Sequence, residues 1–111
     1  AAVQADRLQA ARQLAEQFGC VVVLKGSGTV IAAPDQVSAI NLTGNARLAT
    51  AGTGDVLAGM VGARLAGGQT AFDAACSAVF QHGQLADDWP ACHPGQTLTA
   101  SALAENHQAD L

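Results

Sequence analysis

In the stretch ATAGTGDVLAGM (residues 49–60), Asp55 follows Gly52 and Gly54 at the start of an apolar helical run. Glycine loses more freedom on folding than other residues, so two in three positions suggest a backbone held close to something. An acid at a helix start has a bland reading, because it complements the positive end of the helix dipole. The same geometry is also an anion site with a base beside it, since bare amides can point at a phosphate without obstruction.

A second glycine-rich stretch, LKGSGT (24–29), places Lys25 at the end of an apolar run. Ligands of open α/β sheets sit beyond the carboxyl ends of strands, so this lysine is a candidate contact, with a solvated surface lysine as the competing reading. Neither stretch is a Walker loop, because no Gly-Lys-Ser/Thr follows at the needed spacing. Neither is a dinucleotide fingerprint, because position 57 is Leu. A loop-to-helix anion site remains, set against a plain turn and helix cap. His82, His93 and His107 lack an acid or ligand partner in sequence. His82 is expected to face solvent or make a satisfied core contact, and none of the three is assigned a catalytic role.

The elements that must position these residues are legible from periodicity. Leu8, Ala11, Leu14, Ala15 and Phe18 share helical spacing over residues 3–18, and Gly19 follows as a stop. CVVVL (20–24) is a short β-branched run, the pattern of a strand buried on both faces. TVIAA and VSAINL flank Pro34-Asp35 and read as two further strands in a meander. TGNARLATAG (43–52) is a loop. The helix after it carries Val56, Leu57, Met60, Val61 and Leu65 as one stripe ended by Gly67-Gly68, and Gly59, Gly62 and Ala63 offer close packing. Thr70 with Asp73 resembles a capping box. Phe72, Ala75, Cys76, Val79, Phe80 and Gly83 are the expected buried face of the next helix, closed by Asp87-Asp88-Trp89-Pro90. Residues 97–107 form a last short helix. A helix feeding a buried strand, then a meander, then helices, makes an α/β layered domain.

Composition narrows the function classes. The 111 residues suffice for one domain with a modest core, and half are apolar while 13% are charged, which argues against disorder. A net charge of -4 with scattered basic residues (Arg7, Arg12, Lys25, Arg47 and Arg64) argues against nucleic acid or an anionic membrane as partner. No apolar run approaches the roughly 18–20 residues of a membrane span. Cys20, Cys76 and Cys92 lack the paired spacing of a zinc site, so they are read as reduced thiols of a cytoplasmic protein, two of them in the core. The first residue is Ala rather than Met, which hints at a fragment.

Taken whole, VVVLKGSGTVIA (21–32) followed by NLTGNARLATAGTGDVLAG (41–59) resembles the ADP- or ATP-dependent NAD(P)H-hydrate dehydratases, nicotinamide-repair enzymes of the ribokinase-like superfamily. The resemblance runs from the first helix to at least Phe80, with both glycine-rich stretches in the family's order and separation. Ala46-Arg47-Leu48 stands where family members often show Pro-Gly-Met. The resemblance implies a ribokinase-like layered sheet, with residues 1–111 as its C-terminal portion and much of the substrate pocket upstream. It implies that Lys25, Gly26, Ser27, Gly28 and Thr29 form the adenine-nucleotide segment, with Gly54 beside it. Physically, the amides of Gly52, Thr53 and Gly54 at a helix start could donate to the developing negative charge of a phosphoryl group. Asp55 would contact the hydrated nicotinamide as the catalytic acid-base group, and Asn45 would join it on the substrate. The reaction implied is loss of water from the S form of hydrated NADH or NADPH, driven by ADP or ATP as co-substrate, with Mg2+ accompanying the nucleotide and no metal held by the protein alone. A homo-oligomer is expected, because self-association would cover an exposed sheet edge.

Two other readings stand beside this one. A ribokinase-like kinase for a sugar or vitamin alcohol shares the Gly-x-Gly-Asp helix entry. A noncatalytic nucleotide-binding or oligomerisation module would keep the fold without turnover.

Overall fold

The meander expected around Pro34-Asp35 is the middle layer of the fold. The computed structural model describes residues 2–25, 28–45, 48 and 52–106. In chain order the elements are α1 (Ala2–Phe18), β1 (Val22–Leu24), β2 (Thr29–Ala32), β3 (Ala39–Asn41), α2 (Thr53–Ala66), α3 (Ala71–Cys92) and α4 (Ala100–Asn106). The three strands pair antiparallel in the order β1-β2-β3, with Val23 opposite Ile31 and Val30 opposite Ile40.

Strand alternation sorts the core into two faces. Val30 and Ala32 face α1, where Ala11 and Ala15 are fully buried and Leu8, Val22 and Leu24 pack alongside. Ile31 points the other way, onto Leu57 and Met60 of α2 and Ala75, Ala78 and Val79 of α3. One helix therefore covers one face and two cover the other, the α/β layering the sequence predicts. A third cluster, Ala86, Trp89, Leu98 and Leu103, ties α4 to the far end of α3. Local signals terminate the helices as expected. Gly19 leaves α1 with φ 63°, Gly67 caps α2, and the Thr70 hydroxyl accepts from the Asp73 amide at 3.2 Å.

Several expectations are corrected. The strand buried on both faces is β2, not β1, because β1 pairs on one side only and all three of its residues stay half-buried. Leu14 and Phe18 are exposed, since the narrow sheet meets α1 only along the Leu8, Ala11, Ala15 line. Phe80 is also exposed; it lies about 100° round α3 from Val79, off the packed stripe. Leu65 is exposed on α2 while Arg64 beside it is buried, its guanidinium bonded to the Gln81 side chain. Gly59 and Gly62 face open space rather than a close neighbour. None of the cysteines is a core residue: Cys20 and Cys92 are exposed and Cys76 is half-buried. Burial, then the nearby Asp73 carboxylate, pushes the Cys76 thiol pKa up.

Asp87-Asp88-Trp89-Pro90 does not close α3, which runs on to Cys92 with Pro90 inside it. Packing overrides the proline: Trp89 is buried, its indole N–H donates to the Gln96 carbonyl at 2.8 Å, and His93 stacks on the ring with centroids 3.8 Å apart. No helix among the described residues is long and apolar enough to cross a membrane.

Candidate functional site

A cavity of about 710 Å³ lies where the β1–β2 turn, the segment after β3, the start of α2 and the middle of α3 converge. Lys25, Gly28 and Thr29 reach it from the hairpin, Asn45 from the loop, and Thr53 and Gly54 from α2. These six sequence candidates are brought together around one cavity. Gly26 and Ser27 lie outside the described residues. Gly52 and Asp55 do not line the cavity. Asp55 is exposed on the first turn of α2, next to the lining residue Gly54.

Gly52 has a structural task at the helix start. It is the N-cap of α2 with φ 87°, a left-handed conformation, and a methyl group on it would lie 3.1 Å from the Ala100 side chain. It contributes no side-chain cap, so the first amides of α2 carry no capping oxygen from that residue. The Thr53 hydroxyl instead reaches back to the Leu48 carbonyl at 2.6 Å, pinning the helix to the preceding loop. The positive end of the helix is therefore presented to the cavity. Lys25 adds its ammonium at the same place: a Cβ built on Gly54 would stand 3.1 Å from Nζ.

The opposite wall is held by α3. The Thr43 hydroxyl bonds the Phe80 carbonyl at 2.9 Å. The Asp87 carboxylate accepts from the Gly44 amide and from the Asn45 side-chain amide, both at 3.0 Å. The loop comes so close that a Cβ on Gly83 would collide with the Thr43 hydroxyl and stand 2.8 Å from the Gly44 nitrogen. Sequence reasoning missed Asp87, reading it only as a helix end. Its signal was its place one turn beyond Gly83, on the helix face that meets the loop.

His82 also lines the cavity, and the expectation of a satisfied core contact holds. It is 7% exposed, and its Nε2 meets the Thr53 carbonyl at 2.9 Å. A carbonyl only accepts, so Nε2 carries the proton. Burial lowers the imidazole pKa from 6.5; the hydrogen bond to Thr53 opposes this, and the Lys25 charge adds to it. A further residue missed in the sequence is Arg7 of α1. Its guanidinium donates to the carbonyls of Leu24, Lys25 and Gly28 at 3.1–3.3 Å and so braces the β1–β2 turn from behind. Among the described residues no group of three His, Cys, Asp or Glu side chains is arranged to hold a metal ion.

Fold and cavity define a layered α/β domain that gathers a lysine and a helix start at one concave site. The chain belongs to the NAD(P)H-hydrate dehydratase family, whose model matches residues 1–109. It is 52% identical over 87 residues to the ADP-dependent (S)-NAD(P)H-hydrate dehydratase of Neisseria meningitidis serogroup B, covering 78% of this chain and 29% of that protein. It is 47% identical over 88 residues to the bifunctional NAD(P)H-hydrate repair enzyme of Escherichia coli, covering 78% of this chain and 17% of that one. The crystal structure of the ADP/ATP-dependent NAD(P)H-hydrate dehydratase from Bacillus subtilis, co-crystallised with ATP/Mg2+, superposes with a TM-score of 0.82 at 41% identity, covering 93% of this chain and 37% of that one. The chain thus spans under two fifths of the length of these relatives.

Proposed function

We propose that this chain is the C-terminal, nucleotide-side portion of an enzyme that returns the S form of hydrated NADH or NADPH to the dihydronicotinamide, using ADP or ATP. The observation that carries this reading is the meeting of Lys25, Gly54 and the start of α2 in one cavity, within a chain of this family. Two positive features converge there, the arrangement an anionic phosphate chain would favour. The names of the relatives and the ATP/Mg2+ in the Bacillus crystals support an adenine nucleotide as the anion.

In this reading the nucleotide's phosphates lie against Lys25 and the amides at the start of α2. The terminal phosphoryl group passes to the ring hydroxyl of the hydrate, whose proton leaves at Asp55. Elimination of the phosphate then restores the ring double bond. What supports Asp55 in the task is its exposed place on the first turn of α2, beside the lining residue Gly54. A helix start favours its charged form and weakens it as a base. Phosphoryl transfer with a loose transition state needs orientation of the hydroxyl more than strong basicity, so positioning is its larger contribution. Mg2+ would travel with the phosphates, which supply most of its oxygen ligands in such sites.

A cytoplasmic homo-oligomer fits the three free thiols and the apolar side chains near β3, of which Val37 is 91% and Leu42 86% exposed. The deciding experiment is an assay of the full-length protein with hydrated NADPH and ADP or ATP, beside a panel of sugar and vitamin alcohols. Nucleotide-dependent recovery of NADPH is expected. Phosphorylation of an alcohol without recovery would make the protein a kinase, and nucleotide binding with neither would make it a noncatalytic module. The 111-residue chain alone is expected not to turn over, because the reacting groups would not be held together or shielded from water.

A further inference from the structure

His82 is the buried titratable group of the cavity that the proposed chemistry leaves without a task. Its surroundings are asymmetric in charge. Lys25 faces it from the hairpin, and the ring is held by the Thr53 carbonyl at the start of α2, at 2.9 Å. The acids nearby are otherwise placed: Asp55 is exposed on the first turn of α2, and Asp87 of α3 is engaged by Gly44 and Asn45. Arg64 of α2 is bonded to Gln81, and the loop after β3 contributes the neutral Thr43 and Asn45. Burial first, and then the Lys25 charge, disfavour a second positive charge on His82, against the opposing pull of the Thr53 carbonyl.

We propose that His82 takes up a proton when a nucleoside di- or triphosphate occupies the cavity, so that His82 protonation and ligand binding are coupled. The proposal rests on the nucleotide reading above. A phosphate chain beside Lys25 reverses the sign of the local field and favours the imidazolium. No rearrangement is needed, because the protonated ring still donates from Nε2 to the Thr53 carbonyl and gains an Nδ1–H. By linkage, the ligand then binds more tightly as pH falls through the window in which free His82 is neutral and bound His82 is charged. A one-unit rise in the bound-state pKa limits that gain to about 10-fold.

The test is calorimetric titration of the full-length protein with ADP near pH ~6.5, in buffers of different ionisation enthalpy, compared with His82→Gln. Glutamine keeps an amide donor for Thr53 and cannot take up a proton. The difference between the two proteins cancels the protons contributed by ADP itself. The parent is expected to take up more protons than the variant, and to gain affinity relative to it by several-fold, within the ~10-fold limit, as pH is lowered below 6.5. Equal proton uptake with both proteins binding ADP would overturn the coupling and leave the nucleotide reading intact. Failure of the parent to bind ADP would overturn both. Should His82→Gln not fold, the His82 imidazole resonance of the parent decides: its pKa is expected to rise with ADP, and an unchanged value would overturn the proposal.

Discussion

Lys25 and Gly54 meet at the cavity although 28 residues separate them: a methyl group on Gly54 would stand 3.1 Å from the lysine ammonium. A cation at the positive end of a helix is unfavourable by itself and becomes favourable when an anion bridges the two. Lys25→Ala is therefore expected to leave the ligand-free protein no less stable while weakening ADP binding by about 1–3 kcal/mol, the scale of a lost charge-assisted bond. Thermal melts and calorimetric titration, with and without ADP, check both halves. Gly54→Ala should also weaken ADP binding with little loss of fold, because the atom it meets is the movable end of a lysine. Gly28→Val is a poorer probe than its place in the turn suggests. Gly28 has φ 70°, so valine would strain the hairpin whether or not ligand binds there.

Gly83→Ala is expected to act through the loop rather than the helix. Alanine favours a helix interior, so propensity alone predicts a gain of roughly 0.5–1 kcal/mol. The added methyl group would instead drive into Thr43 and Gly44, and overpacking of this kind costs about 1–3 kcal/mol. A lowered melting temperature is the expected result, and a raised one would show that the loop moves aside freely.

Asp87→Asn keeps the shape of the side chain but removes one of the two acceptor oxygens that serve Gly44 and Asn45. Because Asp87 is exposed, only a modest stability loss of about 0.5–1.5 kcal/mol is expected. The larger effect should be on substrate KM, through a displaced Asn45. An unchanged KM would restrict Asp87 to fold maintenance.

Asp55→Asn in the full-length protein tests the acid on the first turn of α2. Turnover should fall by about 10²-fold or more, the scale of a removed general base, with ADP affinity little changed. Near-normal turnover would reduce Asp55 to a helix-start residue.

The buried imidazole gives a pH dependence of stability with a defined sign. The folded-state pKa of His82 is lowered from 6.5, so between the two values the unfolded chain binds more protons than the folded one. The contribution is present above 6.5 and is lost as pH falls through the lowered folded-state value. In ligand-free protein, His82→Gln should flatten the stability profile on the acid side of neutrality, measured as denaturant midpoint against pH. An unchanged acid limb would show that other groups govern it.

The amino-acid sequence determined what is local. Glycine stops, the Thr70 cap, the Pro34-Asp35 turn and strand alternation are short-range consequences of backbone freedom and side-chain period, so the element order follows from them. The continuous likeness across both glycine-rich stretches also marked the family without any coordinates. Tertiary structure decided which of those residues share a cavity. Lys25 comes to Gly54, and Asp87 to Asn45, through packing between elements distant along the chain. Burial likewise depended on which neighbours exist: β1 is half-covered because it has one partner strand, and Phe80 is exposed because α3 packs along a narrower stripe than its apolar residues allow. His82 carried no partner in its own sequence neighbourhood, since the carbonyl it holds belongs to Thr53 on another helix. Periodicity reports the face a residue shares within its own element; only the meeting of elements sets the charge, space and hydrogen bonds that give that face its chemistry.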